Sequence, residues 1–422
     1  MNAEIWEAAV LLPSVRRFLN GIVQDLKGGR SVVVLLPPGI PPELIWASIR
    51  ARLYERDLMC EVIDAVDFVA SARSVDPVAI ARTVIGERVT PRMPFRDAMA
   101  IADCPEVIGI VGVSSVDTVK QREMLNAVRR WADETIAVGR AETSTRKHAL
   151  CVVDSASALL PYIPANSPGL VSRWWWGFPS ALELRLLYRE LAAECGAGEA
   201  WLECLVAGIA PGDLALSEII WQGCPRDIGE TRELLVQARG LLAILEPAGN
   251  TLRAPGAILL SMEPPAGLRL DWAAGRVVSS FEYGTEAHPV ILASGGEQAE
   301  LEHRMWRGQA QLLLPLADSV RLAASRYAVQ RYGLTWYLSA GCLPEDPEHR
   351  SRLEANALDA ELGYLLTALR RLNGGPERFD WIHRVDTARD VRNSLAHYTP
   401  VPQSQFKSFL STVDGIPRQL MA

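Results

Sequence analysis

Short apolar runs and longer amphipathic stretches alternate over the first 160 residues. Val32-Val33-Val34-Leu35-Leu36 is a β-branched run stopped by Pro37-Pro38-Gly39, the pattern of a buried strand closed by a turn. Leu44, Ile45, Ile49 and Leu53 follow at helical spacing and predict a helix over 42–55. Further strands are predicted at 60–63, 107–113 and 150–154. A helix from 116 to about 136 has Asp117 as its cap. Strands interleaved with helices build a parallel sheet in an α/β layer.

The pattern then changes twice. Residues 180–245 read as short helices broken at glycine and proline, and 268–272, 273–275 and 276–279 read as strand, turn and strand. From 298 onward the apolar spacing is helical again, with segments at 298–330, 350–372 and 380–397. The predicted organisation is an α/β domain with a parallel sheet over 1–180, a helical, winged-helix-like middle region with a β-hairpin over 181–297, and an all-α bundle over 298–422.

Composition narrows the class. A 422-residue chain with 49% hydrophobic and 22% charged residues is long enough for two or three domains with sizeable cores. Its net charge of −7 argues against a protein that coats nucleic acid over its whole surface. The balance is uneven: residues 1–300 hold 28 basic and 37 acidic side chains, residues 301–422 hold 15 and 13. An anion site is therefore expected in the last third. The seven cysteines are scattered and never spaced as CxxC, so they read as reduced, mostly buried residues, and no metal site is expected. The acidic start Met1-Asn2-Ala3-Glu4 has no basic leader character, and no apolar run reaches membrane-spanning length. The expected location is cytoplasmic, away from membranes.

The turn after the first strand is where a nucleotide phosphate would sit on a helix N-terminus. The succession of elements over roughly 1–200 resembles the P-loop NTPase domains of STAND-type signalling proteins, but the chemistry of that loop is missing. A phosphate loop needs backbone N–H donors, a lysine after glycine and a hydroxyl for magnesium. Here Leu36-Pro37-Pro38-Gly39-Ile40-Pro41-Pro42-Glu43 carries four prolines, each without a donor, and none of Lys27, Lys120, Lys147 and Lys407 follows a glycine. The third strand runs into Gly112-Val113-Ser114-Ser115 rather than an acid, and Asp154 reads as a helix cap. The expectation is a degenerate P-loop NTPase-like fold that hydrolyses nothing and takes no cofactor. Three adjacent tryptophans, Trp174, Trp175 and Trp176, cannot all face one core from a regular element. At least one is expected to be exposed or at a domain contact; the leading reading is packing between the first domain and the helical region, and the alternative is a surface for a protein partner or a base.

The richest stretch is Asp386-Thr387-Ala388-Arg389-Asp390-Val391-Arg392-Asn393-Ser394-Leu395-Ala396-His397. Asn393 and His397 stand four apart on one helix face, and the long Arg392 side chain reaches the same side. Arg392-Asn393-x-x-x-His397 matches an R-N-x-x-x-H motif, and residues 300–422 resemble a HEPN domain. The RNA cleavage without metal that this resemblance implies needs a group that takes the 2′-hydroxyl proton or protonates the leaving oxygen, and histidine suits it. It also needs a fixed cation on the phosphate oxygens, which a guanidinium fork supplies. That resemblance implies a helical bundle, a homodimer through this domain that joins two motifs in one cleft, an RNA substrate, and Arg392, Asn393 and His397 as catalytic residues. A second match, Arg378 to His383, lacks the polar residue after Arg, and His383 reads as a helix-surface histidine. The family's tyrosine two places after the histidine is replaced by Thr399, with Tyr398 adjacent instead. The bland reading of the same residues pairs Arg392 with Asp386 or Asp390 and places His397 at a helix end. His148, His288, His303 and His349 share no spacing and read as surface or core residues.

Two functions from different classes follow. One is a regulated, metal-independent endoribonuclease of the kind found among bacterial antiviral defence or toxin effectors. The other is a non-catalytic adaptor that scaffolds a partner complex. A DNA-binding role for 200–295 is weaker, because that region lacks a basic stripe.

Overall fold

The computed structural model describes residues 2–101, 103–141, 147–195, 200–245, 262–341 and 343–421. They belong to two compact units. The first comprises Met1–Ala197, Ala210–Gln222 and Leu235–Gly295; the second comprises Gly198–Ile209, Gly223–Leu234 and Gly296–Ala422.

The first unit is built on a five-stranded parallel sheet. Its strands are β1 (Ser31–Leu36), β2 (Cys60–Asp64), β3 (Val107–Val111), β4 (Ala149–Ser155) and β5 (Leu170–Trp174), in the spatial order β2-β3-β4-β1-β5. β1 lies between β4 and β5, with Val33 opposite Val152 on one side and Ser172 on the other. All six of its residues are buried, as a strand covered on both faces requires. The chain leaves β1 toward the β2 edge and leaves β4 toward β5 on the other side, so the carboxyl ends of β1 and β4 form the switch point of the sheet. The helices predicted at 42–55 and from 116 are Pro42–Tyr54 and Thr118–Ala141. Asp117 caps the second, its Oδ1 accepting from the N–H groups of Val119 and Lys120 at 2.9 and 3.0 Å.

Two local expectations are corrected in this unit. The hairpin lies one element later than the sequence pattern suggests: 268–272 is helical (Arg269–Ala273), and β6 (Val277–Ser280) pairs antiparallel with β7 (Gly284–Ala287). Leu268, Leu270 and Trp272 mimic strand alternation, but Leu270 is exposed while Trp272 and Ala273 are buried together, which is a helical arrangement. The second correction concerns the tryptophans. Trp174, Trp175 and Trp176 are all buried within this unit, so none of them is the exposed ring that was expected. β5 ends at Trp174, and the Trp176 N–H bonds back to the Trp174 carbonyl at 2.9 Å before Gly177 at φ 83. That turn breaks the alternation and sends neighbouring rings inward. Trp175 packs on Phe18 and Phe178, and both Trp174 and Trp176 pack on Trp272.

The second unit is helical among its described residues. Its main members are Ala200–Ile209, the long helix Gln298–Tyr332, Leu362–Arg371, Pro376–Ala396 and Gln403–Asp414. The middle region 181–297 is therefore divided between the units. Every residue of 201–209 is buried, and Gly208 and Gly308 let that helix meet the long one so closely that a Cβ on Gly308 would lie 2.1 Å from the Cys204 carbonyl oxygen. Pro376–Ala396 buries Trp381, Val385, Ala388, Val391 and Leu395, three and four residues apart. Such burial stabilises the bundle by roughly 2 kcal/mol for each large apolar side chain. The opposite face stays open to solvent.

Candidate functional site

Two places in the fold carry the chemistry that the sequence singles out. The first is the turn at the carboxyl end of β1. Gly39 has φ 88, and a Cβ there would meet the side chains of Leu242 at 2.6 Å and Ala215 at 2.8 Å. A Cβ on Gly275 would likewise meet Ile244 at 2.9 Å and Pro38 at 3.2 Å. Apolar side chains from later in the unit thus press closely on the turn. Proline at 37, 38, 41 and 42 removes the N–H donors as well. These residues do not fit a nucleotide phosphate.

The polar groups around this turn are also committed. A cavity beside it is lined in part by Pro37, Pro38, Asp213, Trp272 and His288. His288 Nδ1 accepts the Val290 N–H at 3.2 Å, so the ring proton sits on Nε2 and faces Asp213 Oδ2 at 2.7 Å. Asp213 Oδ1 takes the Leu216 N–H at 2.9 Å. Both ring nitrogens and both carboxylate oxygens are therefore hydrogen-bonded within this unit. Asp154 is fully buried at the end of β4, where its oxygens accept from the N–H groups of Ser114 (2.8 Å) and Ser155 (2.6 Å). The helix that follows has Ser155 as its N-cap and no side-chain cap bond. The capping role expected of Asp154 is corrected: its carboxylate braces the exit of β3 against the exit of β4.

The second place is the end of the helix Pro376–Ala396. Asn393 lies in the last turn, Arg392 is exposed, and His397 is the exposed C-cap residue. Arg392 Nη1 donates to Asn393 Oδ1 at 3.3 Å, which orients the guanidinium. Among the described residues no carboxylate pairs with Arg392, and the His397 imidazole has no hydrogen-bond partner. The acids that could have neutralised Arg392 are taken by others. Asp386 pairs with Arg389 at 2.7 Å and with Arg370 at 3.3 Å, and Asp390 pairs with Arg389 at 2.8 Å. The competing motif is spent differently: the Arg378 guanidinium bonds the Leu372 carbonyl and lies over the Phe379 ring.

The turn that carries His397 is held from behind. Tyr398 has φ 57, its N–H bonds the Leu395 carbonyl at 3.2 Å, and the Thr399 N–H bonds the Ser394 carbonyl at 3.0 Å. This is a Schellman-type helix end with tyrosine where glycine is usual. Trp306 Nε1 on the long helix donates to the Leu395 carbonyl at 2.7 Å. Gln309, fully buried one turn further along, clamps Val401 from both sides: its Nε2 donates to the Val401 carbonyl at 2.9 Å, and its Oε1 accepts the Val401 N–H at 2.7 Å.

No family model and no curated protein matches the chain. Solved structures similar to it include a DNA replication initiation factor, at 9% identity and TM-score 0.28 over 95% of this chain and 93% of that one. Another is Drosophila ORC bound to poly(dA/dT) DNA and Cdc6, at 11% identity and TM-score 0.29 over 99% and 72%. A third is the replication initiator DnaA bound to AMPPCP and single-stranded DNA, at 10% identity and TM-score 0.22 over 96% and 94%. At such TM-scores the likeness carries no argument.

The sequence singled out Arg392, Asn393 and His397, and gave no sign of the residues that hold the turn behind them. His303, expected to be a surface or core residue, is exposed and stacks on Trp306 with ring centroids 5.0 Å apart. Trp306 and Gln309 are about ninety residues from their partners Leu395 and Val401, and no local pattern marks so distant a pairing. Among the described residues no helix is long and apolar enough to cross a membrane.

Proposed function

We propose that the chain is a metal-independent endoribonuclease of HEPN type, with Arg392, Asn393 and His397 as its reactive set. The observation that carries this reading is the exposed Arg392 guanidinium, free of any described acid and oriented by Asn393 within one turn of an unpartnered imidazole. A surface arginine with a merely structural role would be expected to use the acids around it, as Arg389 does. Cleavage proceeds by attack of the ribose 2′-oxygen on the adjacent phosphorus, forming a 2′,3′-cyclic phosphate and releasing the 5′-oxygen. One imidazole takes the 2′-hydroxyl proton, a second returns a proton to the leaving oxygen, and the guanidinium holds the charge on the phosphate oxygens. A second His397 in the same cleft comes from a second copy of the chain, hence a homodimer through the helical unit. In this reading the first unit is a degenerate P-loop NTPase-like scaffold, and the protein works in the cytoplasm as a regulated effector.

The test is cleavage of a labelled RNA by the purified full-length chain in excess chelator. Arg392→Ala and His397→Ala are each expected to lower the rate by about a hundredfold or more, with an unchanged melting temperature. Equal cleavage by the double variant and the parent rejects the proposal. The adaptor reading is favoured by one observation: the β1 turn is filled by Leu242, Ala215 and Ile244, which suits a unit kept for its shape. A chain that cuts no RNA and shows no growth toxicity on expression would favour it.

A further inference from the structure

Beside the reactive set lies a cluster of rings that the chemistry of cleavage does not use. Tyr398 is 65% exposed, and its ring lies 4.8 Å from that of Trp306 and 6.3 Å from that of His303. His303 in turn stacks on Trp306 at an interplanar angle of 27°. All three belong to the second unit, and Trp306 is fixed by its bond to Leu395, in the same turn of helix as Arg392 and Asn393. An apolar interior would have accommodated these rings, yet Tyr398 and His303 face solvent. The backbone holds Tyr398 at φ 57, a conformation unfavourable for a bulky residue, where glycine would form the same helix end without strain. Strain kept to display a ring in water calls for a functional explanation.

We infer that Tyr398, Trp306 and His303 form a stacking platform for an unpaired RNA base, and that the platform selects single-stranded over double-stranded substrate. The inference rests on the nuclease reading for its ligand, and charge complementarity supports that choice. Arg392 is a free cation one to two helical turns from Tyr398, while Asp386 and Asp390 are already neutralised by arginines. A ribose-phosphate held by Arg392 leaves its neighbouring base within reach of the rings. Every base offers a face to an aromatic ring, so the platform is tolerant of sequence, but a base locked in a duplex cannot reach it.

The test uses the full chain, a fluorescent 2′-O-methyl single strand of roughly 12 nucleotides, which cannot be cut, and its blunt duplex, with binding read by anisotropy. The parent is expected to bind the single strand about tenfold tighter than the duplex. Tyr398→Gly is expected to lose about tenfold in single-strand affinity while its melting temperature holds or rises. Tyr398→Phe keeps the ring and is expected to bind like the parent. Equal binding of strand and duplex by the parent overturns the platform. So does unchanged single-strand binding by Tyr398→Gly, or a lost affinity accompanied by a fall in melting temperature, since the residue would then serve the fold. The two proposals separate cleanly. A chain that binds the uncleavable strand through Tyr398 yet leaves ordinary RNA intact keeps the platform and loses the nuclease. A chain whose Tyr398→Gly variant binds and cuts as the parent does keeps the nuclease and loses the platform.

Discussion

The turn after β1 and the turn after the helix Pro376–Ala396 each hold a residue at positive φ, Gly39 in one and Tyr398 in the other. Around Gly39 the side chains converge. Leu242 and Ala215 press on Gly39 itself, Ile244 and Pro38 close on the neighbouring Gly275, and four prolines have removed backbone donors. Around Tyr398 they diverge. Gln309 and Trp306 grip the backbone from the buried side, while Arg392, His397 and Tyr398 face water. The position of a turn in a fold thus says little about its use. A rigid buried back with an uncommitted polar front can bind something, whereas a front filled with methyl groups can only pack.

The strongest way to break this comparison is to disturb the filled turn. Gly39→Ala adds a Cβ at positive φ against two side chains and is expected to cost about 4 kcal/mol of stability, combining left-handed strain and overpacking. Leu242→Ala alone is expected to cost about 2–4 kcal/mol through the cavity it leaves. The double variant should be less destabilised than the sum, because the 2.6 Å clash partner is gone while the 2.8 Å contact with Ala215 remains. Denaturant unfolding of the four proteins gives the coupling directly. None of them is expected to shift its melting temperature with ATP and magnesium. A nucleotide-dependent rise in the parent would mean that the turn is not closed.

The open turn has its own weak point, which lies behind it. Gln309→Leu keeps the volume but leaves the Val401 N–H and C=O without their buried partners, an expected loss of about 3 kcal/mol. Because Val401 closes the segment carrying His397 and Tyr398, RNA cleavage should fall with stability although Gln309 touches no substrate. Full activity at a temperature where the variant stays folded would show that the clamp does not position the turn.

Most of the sheet was legible because its strands are short β-branched runs ended by proline, glycine or acid, as in β1 and β4. β5 escaped because Arg173 and Trp174, run on into two more tryptophans, conceal its period. Of the hairpin only β6 was anticipated, at 276–279; its partner β7, Gly284-Thr285-Glu286-Ala287, has no apolar alternation to mark it. The region 181–297 is divided between two units, and the helix Ala200–Ile209 joins the second through a glycine-to-glycine contact a hundred residues apart, which periodicity does not encode. At the candidate site Arg392, Asn393 and His397 drew notice because they lie within six residues at the end of one helix. Their supports did not, because Trp306 and Gln309 act through backbone carbonyls whose partners lie far along the chain.

The smallest structural change sharpens the contrast most. Asn393→Asp replaces the Oδ1 that orients Arg392 with a charged oxygen at the same place. The new pair is adjacent in sequence and exposed, so the melting temperature should move by no more than about 0.5 kcal/mol of stability. The chemistry should respond far more. A carboxylate on Arg392 cancels the positive charge offered to the phosphate and repels the anionic transition state, and cleavage is expected to fall about tenfold or more. Asn393→Ala separates the two effects, since it removes the orienting oxygen without adding charge and should lie between parent and Asn393→Asp in rate. If all three cut equally well, the guanidinium is neither oriented by residue 393 nor close to the scissile phosphate, and an exposed arginine beside an exposed histidine would be only two neighbours on a helix.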